Sequence, residues 1–522
     1  MTTVDGPVGV MSGMGGAVGS RVGRAVPSTE ARVRPSITDL ATPLLIYAAT
    51  RVAQLGFIVW LAPVGGPSIK ERLLAWDGGW FVRVATEGYA HTYSYDANGT
   101  MVGNGLAFFP LYPLLIRGLH ALGLDAGTAA LTVSWTASAA AAILLYLLGT
   151  DLARSARLRW SGLHWPGPHW RGSRWPSSRS PISRWPSSAN EDPAGSDALP
   201  PEPSSASEES LTAEESLVAK KSRDALGSPA RTGPPVPVGS PAPVGSPAAV
   251  GSPATAESLV EADSLAEADS LAAHDRRVGL ALMVLFVTAP MSVVLSMGYS
   301  EAVFSALVIG MFYAVRREAF LVAGILGLGA ALTRPTGLAA AVALAVAAVL
   351  AIRAGTRGWR AAIGAVLALA GVPGYLLWVA LRVGDPNAWF TIQTAGWGTT
   401  FDWGSSSWNF VYTAFHQGNS WVQVSVAMIL VTAIIAAIIA LRQRIWPPLG
   451  VYGVLALILV VGQAGYYHSK PRLLVPMLLT LLPAAYAAAR ARPRTAILGL
   501  TVYAAFGLWY GAYMITVWPF TI

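Results

Sequence analysis

The sequence contains no cysteine and carries little charge. The absence of cysteine excludes disulfide bonds, zinc–thiolate sites and thiol nucleophiles, although it does not assign the protein to a compartment. Charged residues make up 12% of the chain and hydrophobic residues 53%, whereas globular proteins carry roughly 25% charged residues. The chain is therefore not an average soluble protein, and its apolar excess predicts contact with lipid.

The apolar residues are concentrated in long runs of Ala, Leu, Val and Ile, and these runs approach the roughly 20 residues of a membrane-spanning helix. A transmembrane β-barrel would show segments of alternating polarity, and these runs are continuously apolar. We therefore expect an all-α polytopic membrane protein with about eleven transmembrane helices. The predicted spans are 40–61, 128–149, 278–297, 302–315, 320–332, 338–352, 361–381, 422–441, 449–465, 473–489 and 496–517.

Basic residues follow every second predicted span, as the positive-inside rule requires of cytoplasmic loops. These residues are Arg154, Arg157, Arg159, Arg316, Arg317, Arg353, Arg357, Arg360, Arg442, Arg444, Arg490, Arg492 and Arg494. The outer side of the plasma membrane then receives residues 76–113, 298–301, 334–336, 382–421 and 468–472. The same bias explains the net charge of +8 without a nucleic-acid partner.

Two parts of the chain lack the pattern of a folded core. Residues 1–36 are rich in Gly, Val and Arg without the apolar run of a signal peptide, which predicts a disordered cytoplasmic tail. Residues 155–275 are dominated by Pro, Ser, Gly, Ala and Glu with short repeats, which predicts a low-complexity cytoplasmic insertion. The insertion separates a first transmembrane part, 37–154, from a second, 276–522. Its Trp-Pro repeats leave open a role in docking a partner.

The first predicted outer loop is unusually aromatic. It contains Trp-Asp-Gly-Gly-Trp-Phe-Val-Arg-Val at 76–84 and Phe-Phe-Pro-Leu-Tyr-Pro-Leu-Leu at 108–115. Because Trp and Tyr favour the membrane interface, we expect short helices along the lipid surface, with Asp77 at the start of one. Two interpretations of Asp77 stay open at this point. It caps the helix that follows, or it performs acid–base chemistry.

Three further polar clusters lie at the outer ends of predicted spans. They are Gly-Tyr-Ser-Glu at 298–301, Thr-Arg-Pro-Thr-Gly at 333–337 and Tyr-Tyr-His-Ser-Lys-Pro-Arg at 466–472. Glu301 has a second interpretation, in which an acidic side chain at the membrane boundary simply reaches water. Arg334 is costly to hold near lipid, which favours an anionic partner. Arginine clamps phosphate and lysine offers it a point charge, so this side suits a reaction between a hydroxyl and a phosphate-bearing lipid.

The order of these motifs resembles the bacterial relatives of the GPI mannosyltransferase II (PIG-V) family, within the GT-C glycosyltransferases. Trp-Asp, Phe-Phe-Pro-Leu-Tyr-Pro-Leu-Leu, Gly-Tyr-Ser-Glu and Leu-Thr-Arg-Pro-Thr-Gly carry the resemblance, between residues 75 and 337. It implies a GT-C-type bundle that transfers mannose, or another sugar, from a polyprenyl phosphate to a hydroxyl on the outer face. Inversion at the sugar, and no nucleotide, metal or other cofactor, are implied as well. The insertion 155–275 departs from the family pattern.

The resemblance also implies roles for individual residues. Asp77 is the expected general base, which takes the proton of the acceptor hydroxyl. The acceptor is a glycolipid, a cell-wall glycan or a protein Ser/Thr. Among the substrate-binding residues, the cations are expected to hold the leaving phosphate and offset its charge. The expected substrate-binding residues are Trp76, Tyr112, Glu301, Arg334, His468, Lys470 and Arg472.

Two other classes of membrane protein stay open. A secondary transporter or lipid flippase would carry polar or broken helices near the bilayer midplane, whereas the polar residues here gather at the outer ends of the spans. A non-catalytic scaffold would explain the cytoplasmic repeats. It gives no reason for Asp77, Glu301 and Arg334 to share one side of the membrane.

Overall fold

The computed structural model describes residues 37–160, 253–356 and 358–522. The predicted tail and most of the predicted insertion, with its Trp-Pro repeats, lie outside the described residues. The chain divides into two units, Met1–Arg171 with Asp263–Ile522, and Gly172–Ala262. Every contact discussed below lies within the first unit. Of the second unit, only the beginning of one helix is described.

The described chain is mostly helical. Its helices are α1 (Ile37–Leu61), α2 (Ile69–Leu73), α3 (Asp77–Glu87), α4 (Leu111–Ala121), α5 (Ala126–Trp160), α6 (Pro253–Val287), α7 (Glu301–Arg316), α8 (Phe320–Ala331), α9 (Gly337–Arg353), α10 (Gly358–Val383), α11 (Ala388–Trp397), α12 (Ser405–Gln417), α13 (Trp421–Arg442), α14 (Pro447–Gly462), α15 (Lys470–Leu474), α16 (Leu478–Arg490) and α17 (Pro493–Thr516). Strands β1 (Ser94–Tyr95) and β2 (Met101–Val102) form a small antiparallel pair, with Ser94 opposite Val102. Short 3-10 turns lie at Gly105–Ala107, Ser292–Leu295 and Tyr467–Ser469.

Five helices are long and apolar enough to cross a bilayer, namely α1, α5, α10, α13 and α17. Residues Tyr467–Leu474 and Leu478–Arg490 form a sixth candidate, bent by 61° between the two helices. The chain is thus an all-α membrane protein, with five or six such helices among the described residues. Each of the eleven predicted segments contains a helix, but α8, α9 and α14 have only 12, 17 and 16 residues. The predicted count of eleven spans is therefore not confirmed.

The third predicted span, 278–297, is not one continuous helix, so this prediction was wrong. Helix α6 ends at Val287, and a 3-10 turn follows at Ser292–Leu295. Pro290 lacks the amide proton that a helix needs and disfavours the helical conformation of the residue before it. Met291 then takes a φ of 68°. A proline inside an apolar run thus interrupts the helix.

A buried arginine contacts this interruption. Arg51 lies in the middle of α1 and is 2% exposed. Its guanidinium donates to the carbonyl oxygens of Val287 and Ser292, and at 3.0 Å to the Ser296 hydroxyl. Unpaired backbone groups cost several kcal/mol in lipid. The Arg51 contacts therefore stabilise the broken helix and attach it to α1.

Helices extend into the predicted insertion from both sides. Helix α5 runs to Trp160 and α6 begins at Pro253. The Glu-Ala-Asp-Ser-Leu-Ala repeats at the start of α6 are rich in helix-forming Ala, Leu and Glu. Asp275 is buried and lies 2.7 Å from the Arg157 guanidinium. The helical structure before the second transmembrane part thus begins well before residue 276.

Helices α8 and α10 approach each other closely at two glycines. A Cβ atom on Gly364 would lie 2.3 Å from the Phe320 carbonyl oxygen, and one on Gly324 would lie 2.5 Å from the Gly364 Cα. Small residues permit this close approach between membrane helices. The contact fixes α10, which supplies one wall of the cavity described below.

We expect Gly364→Ala to destabilise the protein, because the added methyl group must push α8 away from α10. Overpacking costs about 1–3 kcal/mol. Gly374→Ala is the matched control on the same helix, since no atom lies within 4 Å of its Cβ position. Thermal unfolding in detergent should begin at a lower temperature for Gly364→Ala only. Equal unfolding temperatures for both variants would contradict the α8–α10 contact.

Candidate active site

Segments far apart in the sequence meet around one cavity of about 430 Å³. They include α3, the turn before α9, α11, the end of α14 and α15. The charged residues that line the cavity are Asp77, Arg334, Lys470 and Arg472. Its aromatic and aliphatic lining includes Phe81, Phe108, Phe109, Val372, Leu376, Trp389, Phe390, Trp397 and Phe401. The cavity therefore combines a cluster of charged side chains with an apolar wall.

Asp77 is the first residue of α3 and lines the cavity. The N-cap position of this helix belongs to Trp76, which has a φ of 53° and makes no side-chain capping bond. The Asp77 Oδ2 instead lies 2.7 Å from the Arg472 Nη1. An acid in the first turn still interacts favourably with the helix dipole. The carboxylate nevertheless forms an ion pair at the cavity, which differs from a capping role.

Glu301 lies between two arginines, behind the residues that line the cavity. It begins α7, and its side chain is 1% exposed. Its Oε1 is 2.6 Å from the Arg334 Nη1 and 3.9 Å from the Arg472 Nε. Arg334 also donates to the Ser300 hydroxyl at 3.2 Å. Because a buried carboxylate is costly without a partner, Glu301 holds the two guanidinium groups near each other.

Arg472 occupies the centre of the charged cluster. It is ion-paired with Asp77 and Glu301, and its guanidinium carbon lies 5.2 Å from the Tyr299 ring centroid. Within the described chain, neither its Nε nor its Nη1 makes an aligned hydrogen bond. A guanidinium offers five N–H donors in a fixed fork. Arg472 therefore retains the capacity to donate to an anion in the cavity.

Lys470 adds a second type of cation to the cavity. Its Nζ donates to the carbonyl oxygens of Val460 at 3.0 Å and Gln463 at 2.5 Å, at the end of α14. These bonds use two of the three N–H donors of an ammonium group. Hydrogen bonds from Ser406, aided by the positive charge of Lys470, hold the pKa of Asp402 below its usual range. Asp402 therefore supplies a negative charge close to Lys470.

The cluster is close to charge balance. Three cations, Arg334, Lys470 and Arg472, face three carboxylates, which belong to Glu301, Asp402 and Asp77. An anion that binds Arg472 therefore competes with Asp77 for the same guanidinium. Glu301 is too deeply buried to be displaced in this way.

Several predicted site residues do not line the cavity. Trp76 is partly buried at the N-cap of α3. Tyr112 is fully buried, and its hydroxyl donates to the Ala130 carbonyl oxygen at 3.0 Å. His468 is buried among aromatic rings, including that of Trp518. These three side chains support the helices around the cavity, as Glu301 does.

One wall of the cavity comes from a segment that the sequence motifs do not single out. Trp389, Phe390 and Trp397 of α11, with Phe401 beyond it, line the cavity, yet this stretch was predicted only as an outer loop. Its aromatic content is the same signal that singled out the first outer loop. The Trp397 ring lies edge-on to Phe108, with centroids 5.4 Å apart. The two aromatic segments therefore meet at the cavity.

In the parts of the chain that the structure describes, no group of three or more His, Cys, Asp or Glu side chains is placed to hold a metal ion. No protein-family model, no curated protein and no solved structure gives a significant match to the chain.

Proposed function

We propose that the protein is a GT-C-type glycosyltransferase similar to the PIG-V family, which moves mannose from a polyprenyl phosphate to an acceptor hydroxyl. One observation carries the proposal. Asp77 and the cations Arg334, Lys470 and Arg472 line the same cavity, next to an apolar wall. The acid suits a hydroxyl acceptor, the cations suit a phosphate leaving group, and the apolar wall suits a lipid.

Asp77 is the general base in this proposal. Its carboxylate takes the proton of the acceptor hydroxyl while the hydroxyl oxygen attacks the anomeric carbon. The bond between that carbon and the phosphate oxygen breaks on the opposite face of the sugar, which inverts the configuration. The leaving group changes from a phosphodiester to a monoester and gains negative charge. Arg334, Lys470 and Arg472 are placed to offset that charge.

Arg472 connects the base to the leaving group. Its guanidinium contacts Asp77 at 2.7 Å and lies 3.9 Å from Glu301. A phosphate bound to Arg472 would draw the guanidinium away from Asp77, while Glu301 keeps it beside Arg334. Donor binding would then release the Asp77 carboxylate to accept the hydroxyl proton.

The proposal includes a membrane orientation. The cavity faces the outside of the plasma membrane, the amino terminus and residues 155–275 are cytoplasmic, and α8, α9 and α14 count among eleven spans. The distribution of Arg-rich loops supports this orientation. Short apolar helices can be accommodated where the bilayer thins locally.

Cysteine labelling tests the orientation, since the chain has no native cysteine. Asn98, in the exposed hairpin of the first loop, and Gln443, exposed after α13, should lie on opposite sides of the membrane. A membrane-impermeant thiol reagent should label Asn98→Cys in intact cells and Gln443→Cys only after permeabilisation. The reverse pattern would contradict the proposed orientation.

Asp77→Asn tests the general base. The substitution keeps the shape of the side chain but removes its ability to accept a proton, so transfer should fall by roughly 10²-fold or more. Membranes supplied with radiolabelled polyprenyl phosphate mannose give the readout, as label in lipid, glycan and protein fractions. Asp96→Asn is the matched control, because Asp96 lies in an exposed turn of the same loop. Near-normal transfer by Asp77→Asn would reject this role.

Arg334→Lys tests the phosphate clamp. Lysine keeps the charge but loses the planar fork that contacts Glu301 and Ser300. A lysine also makes fewer hydrogen bonds to the donor phosphate. Because one charge-assisted hydrogen bond contributes about 1.5–3 kcal/mol, the KM for the donor should rise by about tenfold or more. Arg83→Lys is the control, since Arg83 forms an exposed pair with Glu87. An unchanged KM in Arg334→Lys would count against the clamp.

A further inference from the structure

A tyrosine hydroxyl without an aligned hydrogen bond lies behind the charged cluster. Tyr299 comes two residues before α7, and its side chain is fully buried. Within the described chain, its hydroxyl makes no aligned hydrogen bond. Buried polar groups in proteins nearly always have a partner, because burial without one costs free energy. The neighbours of this hydroxyl therefore indicate which group it is placed to bind.

The ring of Tyr299 is held against Arg472 and the first turn of α3. The Arg472 guanidinium carbon lies 5.2 Å from the ring centroid. A Cβ atom on Gly78 would lie 3.7 Å from a carbon of the same ring. On the opposite side, the Ser134 hydroxyl donates to the Tyr299 carbonyl oxygen at 3.2 Å. These contacts fix the ring beside Asp77, the residue before Gly78.

Asp77 is the charged group that acts most strongly on the Tyr299 hydroxyl. Burial raises the pKa of this hydroxyl well above its ordinary value, and the Asp77 carboxylate raises it further. Arg472 lowers the same pKa, and the more distant effect of Glu301 raises it. The phenol therefore keeps its proton and is able to donate it in a hydrogen bond. Arg334 already occupies Glu301 at 2.6 Å, which leaves Asp77 as the acceptor.

Other ionisable side chains face Asp77 or its helix from neighbouring elements. They are Glu301 of α7, Arg334 before α9, Lys470 and Arg472 of α15, and Tyr112 and Arg117 of α4. The two groups on α4 donate to backbone carbonyl oxygens. None of these side chains is altered by removing the Tyr299 hydroxyl. A change in the protonation of Asp77 after that removal therefore reports the hydroxyl itself.

We propose that Tyr299 is a positioning residue for the general base, and that its hydroxyl donates a hydrogen bond to Asp77 once a phosphate has drawn Arg472 away. This inference rests on the proposed function, in which Arg472 passes from Asp77 to the leaving group. In the structure, Arg472 lies 2.7 Å from the Asp77 Oδ2. An ionised carboxylate has two acceptor oxygens. One oxygen of the freed Asp77 accepts from Tyr299, and the other faces the acceptor hydroxyl.

Tyr299→Phe separates the hydroxyl from the ring. The variant keeps the ring beside Arg472 and removes only the phenol oxygen. A hydrogen bond donated to a carboxylate favours its charged form, so Asp77 becomes easier to protonate in the variant. Because transfer needs the unprotonated carboxylate, the acid limb of the kcat profile should move to higher pH by about one pH unit. An unchanged pH profile would overturn the inference.

A purely structural role predicts a different result for the same variant. Loss of a buried hydroxyl that has no partner removes a desolvation cost, so the unfolding temperature of Tyr299→Phe should not fall. Tyr510→Phe is the matched control, since Tyr510 is also fully buried, pairs with the Ser425 hydroxyl at 3.3 Å and does not line the cavity. The control should leave the pH profile of kcat unchanged. A lower unfolding temperature of Tyr299→Phe with a normal pH profile would show a structural role only.

A titration of Asp77 itself does not depend on sugar transfer. Infrared spectroscopy detects the protonated carboxyl group of Asp77 as the signal that Asp77→Asn lacks. The titration midpoint is measured with bound polyprenyl phosphate and, without any lipid, in the Arg472→Met background. Adding Tyr299→Phe should raise the midpoint by about one pH unit in both cases, and equal midpoints would overturn the inference. A raised midpoint in a protein that transfers no sugar would support the role of Tyr299 and reject the proposed function.

Discussion

The structure of the cavity depends on one buried carboxylate. Glu301 is 1% exposed and faces two arginines, Arg334 at 2.6 Å and Arg472 at 3.9 Å. A buried charge that loses its partner costs about 3–5 kcal/mol, so the start of α7, the turn before α9 and α15 are held together. Arg472 then reaches Asp77 on α3. Segments that are distant in the sequence are thereby joined around one cavity.

The surrounding helices give this charged cluster an apolar frame. Glycine contacts bring α8 against α10, and Val372 and Leu376 of α10 contribute to the apolar wall of the cavity. Arg51 compensates the interrupted end of α6, which lies close before the start of α7 in the sequence. Charge and apolar surface therefore meet within a single cavity, a combination suited to a ligand with an anionic headgroup and a lipid tail.

The sequence allowed the convergence of Asp77, Arg334, Lys470 and Arg472 to be predicted, because alternating apolar runs and Arg-rich loops place residues on one side of a membrane. The aromatic wall from α11 was missed, since contacts between two loops depend on tertiary packing and leave no periodic pattern. For the same reason, the sequence did not predict that Glu301 lies behind the residues that line the cavity. Helix lengths were also misjudged. Pro290 ended one predicted span, and several apolar runs formed helices shorter than a span.

The proposed function requires that this cavity transfers sugar from a lipid phosphate. The most direct measurement uses purified protein in liposomes with radiolabelled polyprenyl phosphate mannose and a hydroxyl acceptor. We expect label to move to the acceptor with inverted configuration, polyprenyl phosphate to be released, and no nucleotide sugar to be needed. Movement of the labelled lipid between leaflets without any transfer of mannose would contradict the proposed function and would indicate a flippase.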